Sequence, residues 1–319
     1  MGGTYIVRGL IIYNPTAGRF PSKSMVERAS KELQKRGWEI DIDRTRGADH
    51  TTSLAEKAVQ AGYGAVFVAG GDGSINQTVA GLLGGDTALG VLPAGTANVW
   101  AQELGLPVLS WTNWVALEKS AKILAEGQER WVDVGLCQGT PFLLWAGMGL
   151  DAFVVHHIEP RTRLEKNIAF PQYAANAAWL ARKWEGMKLK IVIQDELIEG
   201  TYLLAVVTNV HLYAGGIAEI SPSAKINDGQ MDLWLFSGTT LAEALRHMWM
   251  LYSGQHFNSD QVKHYFCQNA ELYSEKPFYL QVDGEPLPES REAKINIQHK
   301  ALKVLVPETL NPELFSEEA

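Results

Sequence analysis

The stretch Ala65-Val66-Phe67-Val68-Ala69-Gly70-Gly71-Asp72-Gly73-Ser74 decides the fold of this chain. Its first five residues are apolar, which predicts a buried strand over 65–69. A helix-like stretch over 75–83 follows directly, so 70–74 is predicted to be the turn between a strand and a helix. Such a turn directs backbone N–H groups and the positive end of the helix dipole at whatever lies above it, and the usual ligand is a phosphate.

Asp72 places a carboxylate in the same turn. A carboxylate repels a phosphate unless a cation or a basic side chain lies between them. The turn therefore predicts a metal–nucleotide site, which is typical of a kinase.

The alternation of strands and helices continues on both sides of this turn. Strands are predicted over 5–13, 38–45 and 88–92, and helices over 22–36, 49–61, from residue 96, and over 110–126, with Ser22 as the N-cap of the first helix. This order predicts a doubly wound, Rossmann-like parallel sheet, whose ligands bind at the carboxyl ends of the strands. The turns after residues 13, 69 and 92 all follow such ends, so we expect them at one edge.

Short β-rich stretches dominate the second half of the chain. Strands are predicted over 131–137, 142–147, 188–194, 202–208, 231–236, 278–282, 294–297 and 302–306, and helices over 165–184 and 240–252. Their spacing predicts an antiparallel β-sandwich. We therefore expect a nucleotide-binding α/β domain over 1–130 and a β-sandwich domain over 131–319.

Composition narrows the function classes. The 319 residues carry a net charge of −8, which argues against a nucleic-acid partner, because such a partner requires a basic face. The two cysteines, Cys137 and Cys267, are far apart in apolar settings, which predicts reduced, buried thiols and a cytoplasmic protein. No stretch approaches 18 consecutive apolar residues, so no membrane span is predicted.

Each of the three turns has a simple structural explanation when taken alone. Asn14-Pro15-Thr16-Ala17-Gly18 is a tight turn, and Asp72 and Thr96 could each serve only to cap a helix. Three polar turns at one sheet edge are harder to explain in that way. The chain has no phosphate-binding loop ending in Gly-Lys-Ser/Thr, and it lacks the third glycine of the dinucleotide fingerprint.

The three turns in this order, Asn-Pro-x-x-Gly, Gly-Gly-Asp-Gly-Ser and Pro-x-Gly-Thr-x-Asn, resemble the diacylglycerol kinase catalytic family, which includes bacterial lipid kinases and sphingosine kinases. The second half resembles the same family at three places. These are Asp133-Val134-Gly135 leading to 146–151, the stretch from Pro222 through Asn227-Asp228-Gly229 to Met231-Asp232-Leu233, and Val282-Asp283-Gly284-Glu285. The resemblance covers nearly the whole chain.

The resemblance implies a lipid kinase that uses ATP and Mg²⁺, with ATP in a cleft between the two domains. It implies that Asp283, Glu285 and Asp72 are catalytic, with Glu285 or Asp283 as the general base. The nucleotide ligands that it implies are Asn14, Thr45, Gly70, Gly71, Asp72, Gly73, Ser74, Ile75, Asn76, Gly95, Thr96 and Asn98. The implied metal ligands are Asp72, Asp133 and Glu285 for Mg²⁺, with a second, structural ion near Lys225, Asp228 and Gln230.

Two positions depart from the family pattern. Val99 stands where an Asp commonly follows the Asn of the third turn, and Gln102 stands where an Arg is common. Val99 removes a carboxylate from the implied magnesium–water network. The metal arrangement and the activity are therefore expected to differ from those of typical members.

Two alternatives stay open at this point. An NAD kinase shares the Gly-Gly-Asp-Gly turn and the two-domain build, but the Asn-Glu pair of those enzymes does not occur in this sequence. A lipid or nucleotide sensor without turnover is the other alternative, and Val99 and Gln102 motivate it.

The resemblance also implies a partner, a lipid substrate at a membrane surface, to which the protein would bind peripherally; a homodimer stays open as well. Tyr173, Ala177, Leu180 and Trp184 follow helical spacing. They predict a core stripe, a wall of the lipid cleft, or a patch that lies on a bilayer with Arg182, Lys183, Lys188 and Lys190 beside it.

Overall fold

The structure, a computed structural model, describes residues 7–15, 23–110, 113–158 and 184–316. It divides into two units, Met1–Val132 with Lys300–Pro312, and Asp133–His299 with Glu313–Ala319. The predicted domains were contiguous, whereas residues 300–312 return to the first unit. The physical reason is a strand pairing, because Val304 lies opposite Leu89 in a parallel ladder.

The first unit contains a parallel sheet. Its strands are Val7–Tyr13, Trp38–Arg44, Ala65–Gly70 and Ala88–Pro93, joined by the last part of Glu285–Val306. Across the sheet the order is 38–44, 7–13, 65–70, 88–93 and then the last strand, and every pair is parallel. Both central strands, 65–70 and 88–93, are buried at every residue. The predicted doubly wound sheet is confirmed.

Helices connect these strands and pack in two pairs. Their bounds are Lys23–Gln34, Ala48–Gln60, Asp72–Leu82, Val99–Glu103 and Ala116–Ala125. The first and last pack together, joined by an ion pair of 2.7 Å between Arg36 Nε and Glu126 Oε1. The second and third also pack together, and Thr52 Oγ1 donates to the carbonyl of Gln77. The predicted N-cap Ser22 lies outside the described residues.

Three helix starts differ from the predicted ones. The third helix begins at Asp72 rather than at Ile75, so Asp72-Gly73-Ser74 form its first turn. The next begins at Val99, three residues after Thr96, because Asn98 adopts a left-handed conformation with φ of 55°. The last begins at Ala116, well after the predicted start at Ser110.

The second unit contains antiparallel strands. Their bounds are Gln128–Cys137, Thr140–Phe142, Trp145–Gly149, Met187–Ile193, Glu196–Thr208, Met231–Ser237, Val262–Cys267, Asn269–Val282 and Glu285–Val306, with a short pair Leu212–Tyr213 and Ala218–Glu219. The main ladder runs in the order 262–267, 231–237, 196–208, 145–149, 269–282 and 285–306. Apolar side chains from these strands form one core. The predicted antiparallel β-sandwich is confirmed.

Helices Leu150–Ile158 and Leu241–Tyr252 also belong to this unit. The second was predicted; the first was not, and neither was the strand Val262–Cys267. Of the predicted helix 165–184, only Trp184 lies within the described residues. Its ring packs against Phe153 at 5.2 Å and against Tyr279 at 6.3 Å, which makes it part of the core boundary.

Cys137 and Cys267 are both free and buried, as predicted. Burial raises the pKa of each thiol to about 12. No helix in the described parts of the chain is long and apolar enough to cross a bilayer.

Candidate functional site

The second and third predicted turns of the first unit lie side by side at the carboxyl edge of the sheet, together with Asn14-Pro15, the described part of the first turn. The backbone N–H of Asn14 donates to the carbonyl of Ala69 at 3.3 Å, and that of Ala94 donates to the carbonyl of Gly70 at 2.9 Å. Thr45, which is buried, lies at the same edge, and its N–H donates to Tyr13 O at 3.0 Å. The structure therefore brings the start of the first turn to the second and third turns, as the order of strands predicted; residues 16–18 lie outside the described residues.

Gly71 and Gly95 bring two of these turns into backbone contact. A Cβ built on Gly95 would lie 2.4 Å from Gly71 Cα, and one built on Gly71 would lie 3.1 Å from Gly95 Cα. Real Cβ atoms do not approach backbone as closely as 2.4 Å, and 3.1 Å is a tight contact. The crossing of the two turns therefore requires Gly95, and a side chain at Gly71 would press on the backbone of Gly95.

That helix start has the character of an anion site. Gly71 is its N-cap and supplies no side-chain hydrogen bond. The N–H of Ser74 donates to the carbonyl of Gly71 at 2.9 Å, while the earliest N–H groups of a helix have no partner within it and carry the positive end of its dipole. A phosphate group is the ligand that best matches such a start.

The carboxylate of Asp72 faces the next helix. Its Oδ2 accepts from the N–H of Val99 at 3.1 Å and its Oδ1 from the N–H of Trp100 at 3.2 Å. Asp72 thus caps the start of Val99–Glu103 and ties the second turn to the third. Burial raises the pKa of Asp72, and the hydrogen bonds to Val99 and Trp100 oppose that rise.

Of the remaining predicted nucleotide ligands of the first unit, some have buried side chains and one is exposed to solvent. Ser74, Asn76 and Asn98 are buried polar residues, and Ile75 is a buried apolar one. Asn98 holds its own turn, since its Oδ1 accepts from Gly95 N at 2.7 Å and its Nδ2 donates to Gly95 O at 3.0 Å. Thr96 is exposed, so its hydroxyl reaches the surface at this edge.

In the second unit, Asp283-Gly284 forms a two-residue hairpin turn. Val282 pairs with Glu285, and the turn residues have φ of 49° and 84°. Positive φ at both positions is the requirement of a type I′ turn, for which Asp-Gly is a favoured pair. The segment is therefore a hairpin turn, and any catalytic role has to be carried by its side chains.

The carboxylate of Asp283 is committed to the backbone. Oδ2 accepts from the N–H of Leu143 at 2.9 Å, and Oδ1 accepts from those of Leu144 and Trp145 at 3.0 Å each. The side chain is buried. Of the two candidates for the general base, the geometry favours Glu285, which is exposed at the first position of its strand.

A buried polar network that the sequence analysis missed supports this hairpin. Gln281 Oε1 accepts from the N–H of Gly284 at 2.8 Å, and its Nε2 donates to Asp151 Oδ2 at 3.0 Å. The hydroxyl of Tyr213 donates to the same oxygen at 3.0 Å. Burial raises the pKa of Asp151 to about 6. The signal that could have found the network is a glutamine at an inward position of an otherwise apolar strand.

Asp133 and the loop 225–230 also come together in the second unit. The fully buried Asp133 accepts from the N–H of Gly229 at 2.6 Å, and His299 Nδ1 lies 2.8 Å from its other oxygen. Asp228 Oδ1 accepts from the N–H of Gln230 at 2.9 Å, while Lys225 Nζ donates to the carbonyl of Glu313. Burial and the charge of Asp133 raise the pKa of Asp228.

In comparisons with known proteins, each half of the chain matches a family model. The family model for the diacylglycerol kinase catalytic domain matches residues 8–137, and the model for the YegS C-terminal NAD kinase beta sandwich-like domain matches residues 145–306. The chain belongs to the diacylglycerol kinase catalytic family. The family predicted from the three turns is thus confirmed.

Relatives of this family resemble the chain over most of its length. The diacylglycerol kinase of Bacillus subtilis strain 168 is 28% identical over 280 residues, 87% of this chain and 89% of that protein. The diacylglycerol kinase of Staphylococcus aureus strain RF122 is 26% identical over 314 residues, 98% and 96% of the two chains. A crystal structure of a diacylglycerol kinase from Bacillus anthracis covers 97% of this chain and 100% of its own, with a TM-score of 0.72 at 19% identity.

The two departures from the family pattern have visible structural roles. The side chain of Val99 is buried, while its N–H binds Asp72. Gln102 Nε2 donates to the carbonyl of Ala97 at 2.7 Å and so holds the third turn against its helix. An apolar residue at 99 leaves Asp72 without the neighbouring carboxylate that is common in the family.

The fit of Mg²⁺ can be tested on these donors. Mg²⁺ takes one or two carboxylate oxygens and keeps several waters. Asp228 fits, because its Oδ1 accepts from the N–H of Gln230 and the carboxylate has further lone pairs for a cation. Burial and the charge of Asp133 raise the pKa of Asp228, and a bound cation would favour its ionised form. Asp72 offers the carboxylate oxygens that Mg²⁺ prefers, but these oxygens also accept backbone N–H groups, those of Val99 and Trp100 among them, so an ion would share them with the third turn. Among the described residues, no group of three or more His, Cys, Asp or Glu side chains forms a metal cluster, so water would have to complete either site.

Proposed function

We propose that this protein is an ATP- and Mg²⁺-dependent lipid kinase that transfers the γ-phosphoryl group of ATP to a hydroxyl of diacylglycerol, a sphingoid base or a related lipid. The observation that carries the proposal is the convergence of Asn14 with the second and third family turns at one sheet edge, beside a helix start without a side-chain cap. The names of the relatives, diacylglycerol kinases, support the acceptor class.

The nucleotide would bind through its phosphates at residues 70–76. Backbone N–H groups at the start of Asp72–Leu82 supply fixed donors for the phosphate oxygens. Thr96 would add a hydroxyl, and Asn14 and Thr45 would lie beside the nucleotide at the same edge. Phosphoryl transfer depends on positioning and charge stabilisation more than on covalent chemistry, so a rigid backbone cradle suits it.

Mg²⁺, when bound, would supply positive charge that offsets the charge of the phosphates. Asp72 would hold an ion at the first unit. In the second unit, Asp228 would hold one with backbone oxygens of Lys225 and Gln230. Asp133, which is fully buried, would orient this loop through the N–H of Gly229 and would bind the ion directly or through water.

Glu285 would act as the general base. A lipid hydroxyl is a weak nucleophile, and a carboxylate within hydrogen-bond reach accepts its proton as the reaction proceeds. The hydroxyl oxygen forms a bond to the γ-phosphorus, the bond from that phosphorus to the β–γ bridging oxygen breaks, and ADP leaves. Asp283 contributes by fixing the hairpin from which Glu285 extends.

The test is an incubation of the protein with labelled ATP, Mg²⁺ and a panel of lipids. We expect one class of lipid to be labelled, and Glu285→Gln to lower kcat by about 10²–10⁴-fold, the range typical of a lost general base. Glu275→Gln is the matched control, because Glu275 is exposed on the preceding strand of the same hairpin. It should leave kcat unchanged.

Other outcomes would select other functions. Formation of NADP from NAD without any labelled lipid would identify an NAD kinase. Nucleotide binding without turnover on any substrate would identify a sensor, the alternative that the buried Val99 favours.

The proposed acceptor determines where the protein acts. Diacylglycerol and sphingoid bases reside in membranes, so the protein would bind peripherally at a membrane surface, on the cytoplasmic side where ATP is supplied, and would take part in phospholipid metabolism. With a net charge of −8, we expect no nucleic-acid partner. A homodimer stays a prediction.

A further inference from the structure

The helix Leu241–Tyr252 presents an apolar face to solvent. Leu245, Met248, Trp249 and Tyr252 are exposed by 44%, 56%, 64% and 64%. Their spacing of three and four residues puts them on one side of the helix. The helix is attached through other positions, His247 and Leu251, which are buried, and His247 Nε2 lies 2.8 Å from the carbonyl of Ser237.

This face is held rigidly. Thr240 is the N-cap of the helix, and its hydroxyl accepts from the N–H of Glu243, while the Glu243 carboxylate accepts from the N–H of Thr240 at 2.9 Å. This capping box fixes the first turn. The last turn is closed as well, because the N–H groups of Ser253 and Gln255 donate to the carbonyls of Trp249 at 2.9 Å and Met250 at 2.8 Å. Both ends of the helix that carries the four side chains are therefore hydrogen-bonded.

The exposed side of the helix carries little negative charge. Residues 244–259 contain no Asp or Glu, whereas the whole chain carries 36 of them and a net charge of −8. The acidic residues that flank this stretch are Glu243, whose carboxylate belongs to the capping box at the start of the helix, and Asp260. Arg246 is exposed, and the partner of its Nη1 is the neutral amide of Gln261 at 3.2 Å. The positive charge of Arg246 is not neutralised by that contact, and no acidic residue within the stretch repels an anionic surface.

We infer that the helix Leu241–Tyr252 docks the protein on a lipid bilayer that contains anionic headgroups. The inference rests on the proposed function, because a kinase for a membrane lipid has to reach its acceptor. Trp and Tyr prefer the interface between headgroups and acyl chains, where their rings are buried and their polar atoms stay hydrated. An amphipathic helix with such residues lies in the plane of the interface.

The size of the face favours a bilayer over a second copy of the chain. An aromatic side chain buries 150–250 Å² when fully covered, so four partly exposed side chains offer roughly 500 Å². A stable dimer buries about 800 Å² on each partner with close shape complementarity. A bilayer imposes no such complementarity, and insertion of a few side chains is enough for reversible attachment.

The test is sedimentation of the protein with unilamellar vesicles of phosphatidylcholine and phosphatidylglycerol. The double variant Met248→Ser/Trp249→Ser is expected to lower the partition coefficient at least tenfold. Leu197→Ser is the matched control, because Leu197 is an exposed apolar side chain, at 59%, on a strand of the same unit. Binding of Leu197→Ser should stay within twofold of the parent protein.

Two results would overturn the inference. One is equal binding of the double variant and the parent protein to the vesicles. The other is a parent protein that does not bind the vesicles and is a dimer in analytical ultracentrifugation, while the double variant is a monomer. That result would show that the exposed face of the helix binds a second copy of the chain.

A parallel assay separates this inference from the proposed function. The double variant should phosphorylate a water-soluble, short-chain diacylglycerol as fast as the parent protein does. With diacylglycerol in vesicles, its rate should fall by about the same factor as its partition coefficient. Vesicle binding that depends on Trp249 in a protein that phosphorylates no lipid would overturn the proposed function and leave the docking surface intact. Equal rates of both proteins on vesicles would overturn the docking surface alone.

Discussion

Two turns of this protein, residues 70–74 and 282–285, share an Asp-Gly pair but differ in what the pair does. Each contains an Asp-Gly pair, and in each the carboxylate accepts backbone N–H groups from a segment distant in sequence. Asp72 accepts two, from the start of a short helix. Asp283 accepts three, from residues 143–145, and is more deeply buried.

The glycines of the two turns also differ in purpose. Gly71 is needed for space, because its backbone touches that of Gly95. Gly284 is needed for its backbone angle, since its φ is 84° and nothing lies within 4 Å of a Cβ built on it. The first turn is thus shaped by its close crossing with the third turn, and the second turn by the hairpin that it closes. We expect mutations in the first turn to lower activity more than stability, and mutations in the second turn to lower stability.

The largest effect is expected at the second turn. Asp283→Ala leaves three backbone N–H groups without their acceptor, and each buried unpaired group costs about 1–3 kcal/mol. We expect a loss of about 3–5 kcal/mol in the free energy of unfolding, measured by urea denaturation. Asp283→Asn keeps one acceptor oxygen and should lose less. A loss under about 1 kcal/mol for Asp283→Ala would remove the structural role assigned to this carboxylate.

The first turn should respond in activity. Asp72→Asn keeps one oxygen to cap the helix at Val99, so the unfolding free energy should fall by only about 1 kcal/mol. The lost charge should lower kcat at saturating ATP about 100-fold, a loss of about 2.7 kcal/mol in transition-state stabilisation. If Asp72→Asn keeps the kinase activity of the parent protein, the charge of Asp72 has no part in activity, and the expected contrast between the two turns is wrong.

The glycines provide a third contrast. In Gly95→Ala the added Cβ would press on Gly71 Cα, and overpacking of this kind costs about 1–3 kcal/mol. ATP affinity, measured by calorimetry, should fall with it. Gly47→Ala is the control, because a Cβ there has nothing within 4 Å. Gly284→Asn should be nearly neutral, since Asn tolerates positive φ.

The smallest effect concerns pH and the network behind the hairpin. The pKa of Asp151 is raised from 3.8 to about 6, so the folded protein holds this proton more tightly than the unfolded chain. Its contribution to stability is present below pH 4 and is lost as the pH rises through 6. The difference in unfolding free energy between the parent and Asp151→Asn should change by on the order of 2 kcal/mol between pH 4 and pH 7. Parallel curves for the two proteins would contradict the raised pKa.

Much of the fold could be predicted because hydrophobic periodicity is local. The run 65–69 and its neighbours revealed the parallel strands, and alternation in the second half revealed the antiparallel ones. The strand Glu285–Val306 was predicted as two pieces, because the polar stretch 298–300 interrupts the pattern. In the structure the strand continues through Lys300 in a left-handed conformation, with φ of 48°, where the chain passes from one unit to the other.

The candidate site was predictable in position but not in detail. Turn composition located Asp72 and Asp283, yet the groups that bind their carboxylates, at 99–100 and 143–145, are set by tertiary packing. Asn98 shows the same limit, because its left-handed conformation delays the helix predicted from Thr96. Gln281 and Tyr213 carry no motif at all, and only the folded arrangement connects them to Asp151.

The two thiols of this protein should react very slowly with alkylating reagents. Alkylating reagents attack thiolates, and with pKa values of about 12 Cys137 and Cys267 have almost no thiolate at neutral pH. A single cysteine introduced at an exposed site, for example Tyr252→Cys, could therefore be labelled selectively without first removing the native ones. A fluorophore at that position would report directly how deeply the helix enters a vesicle.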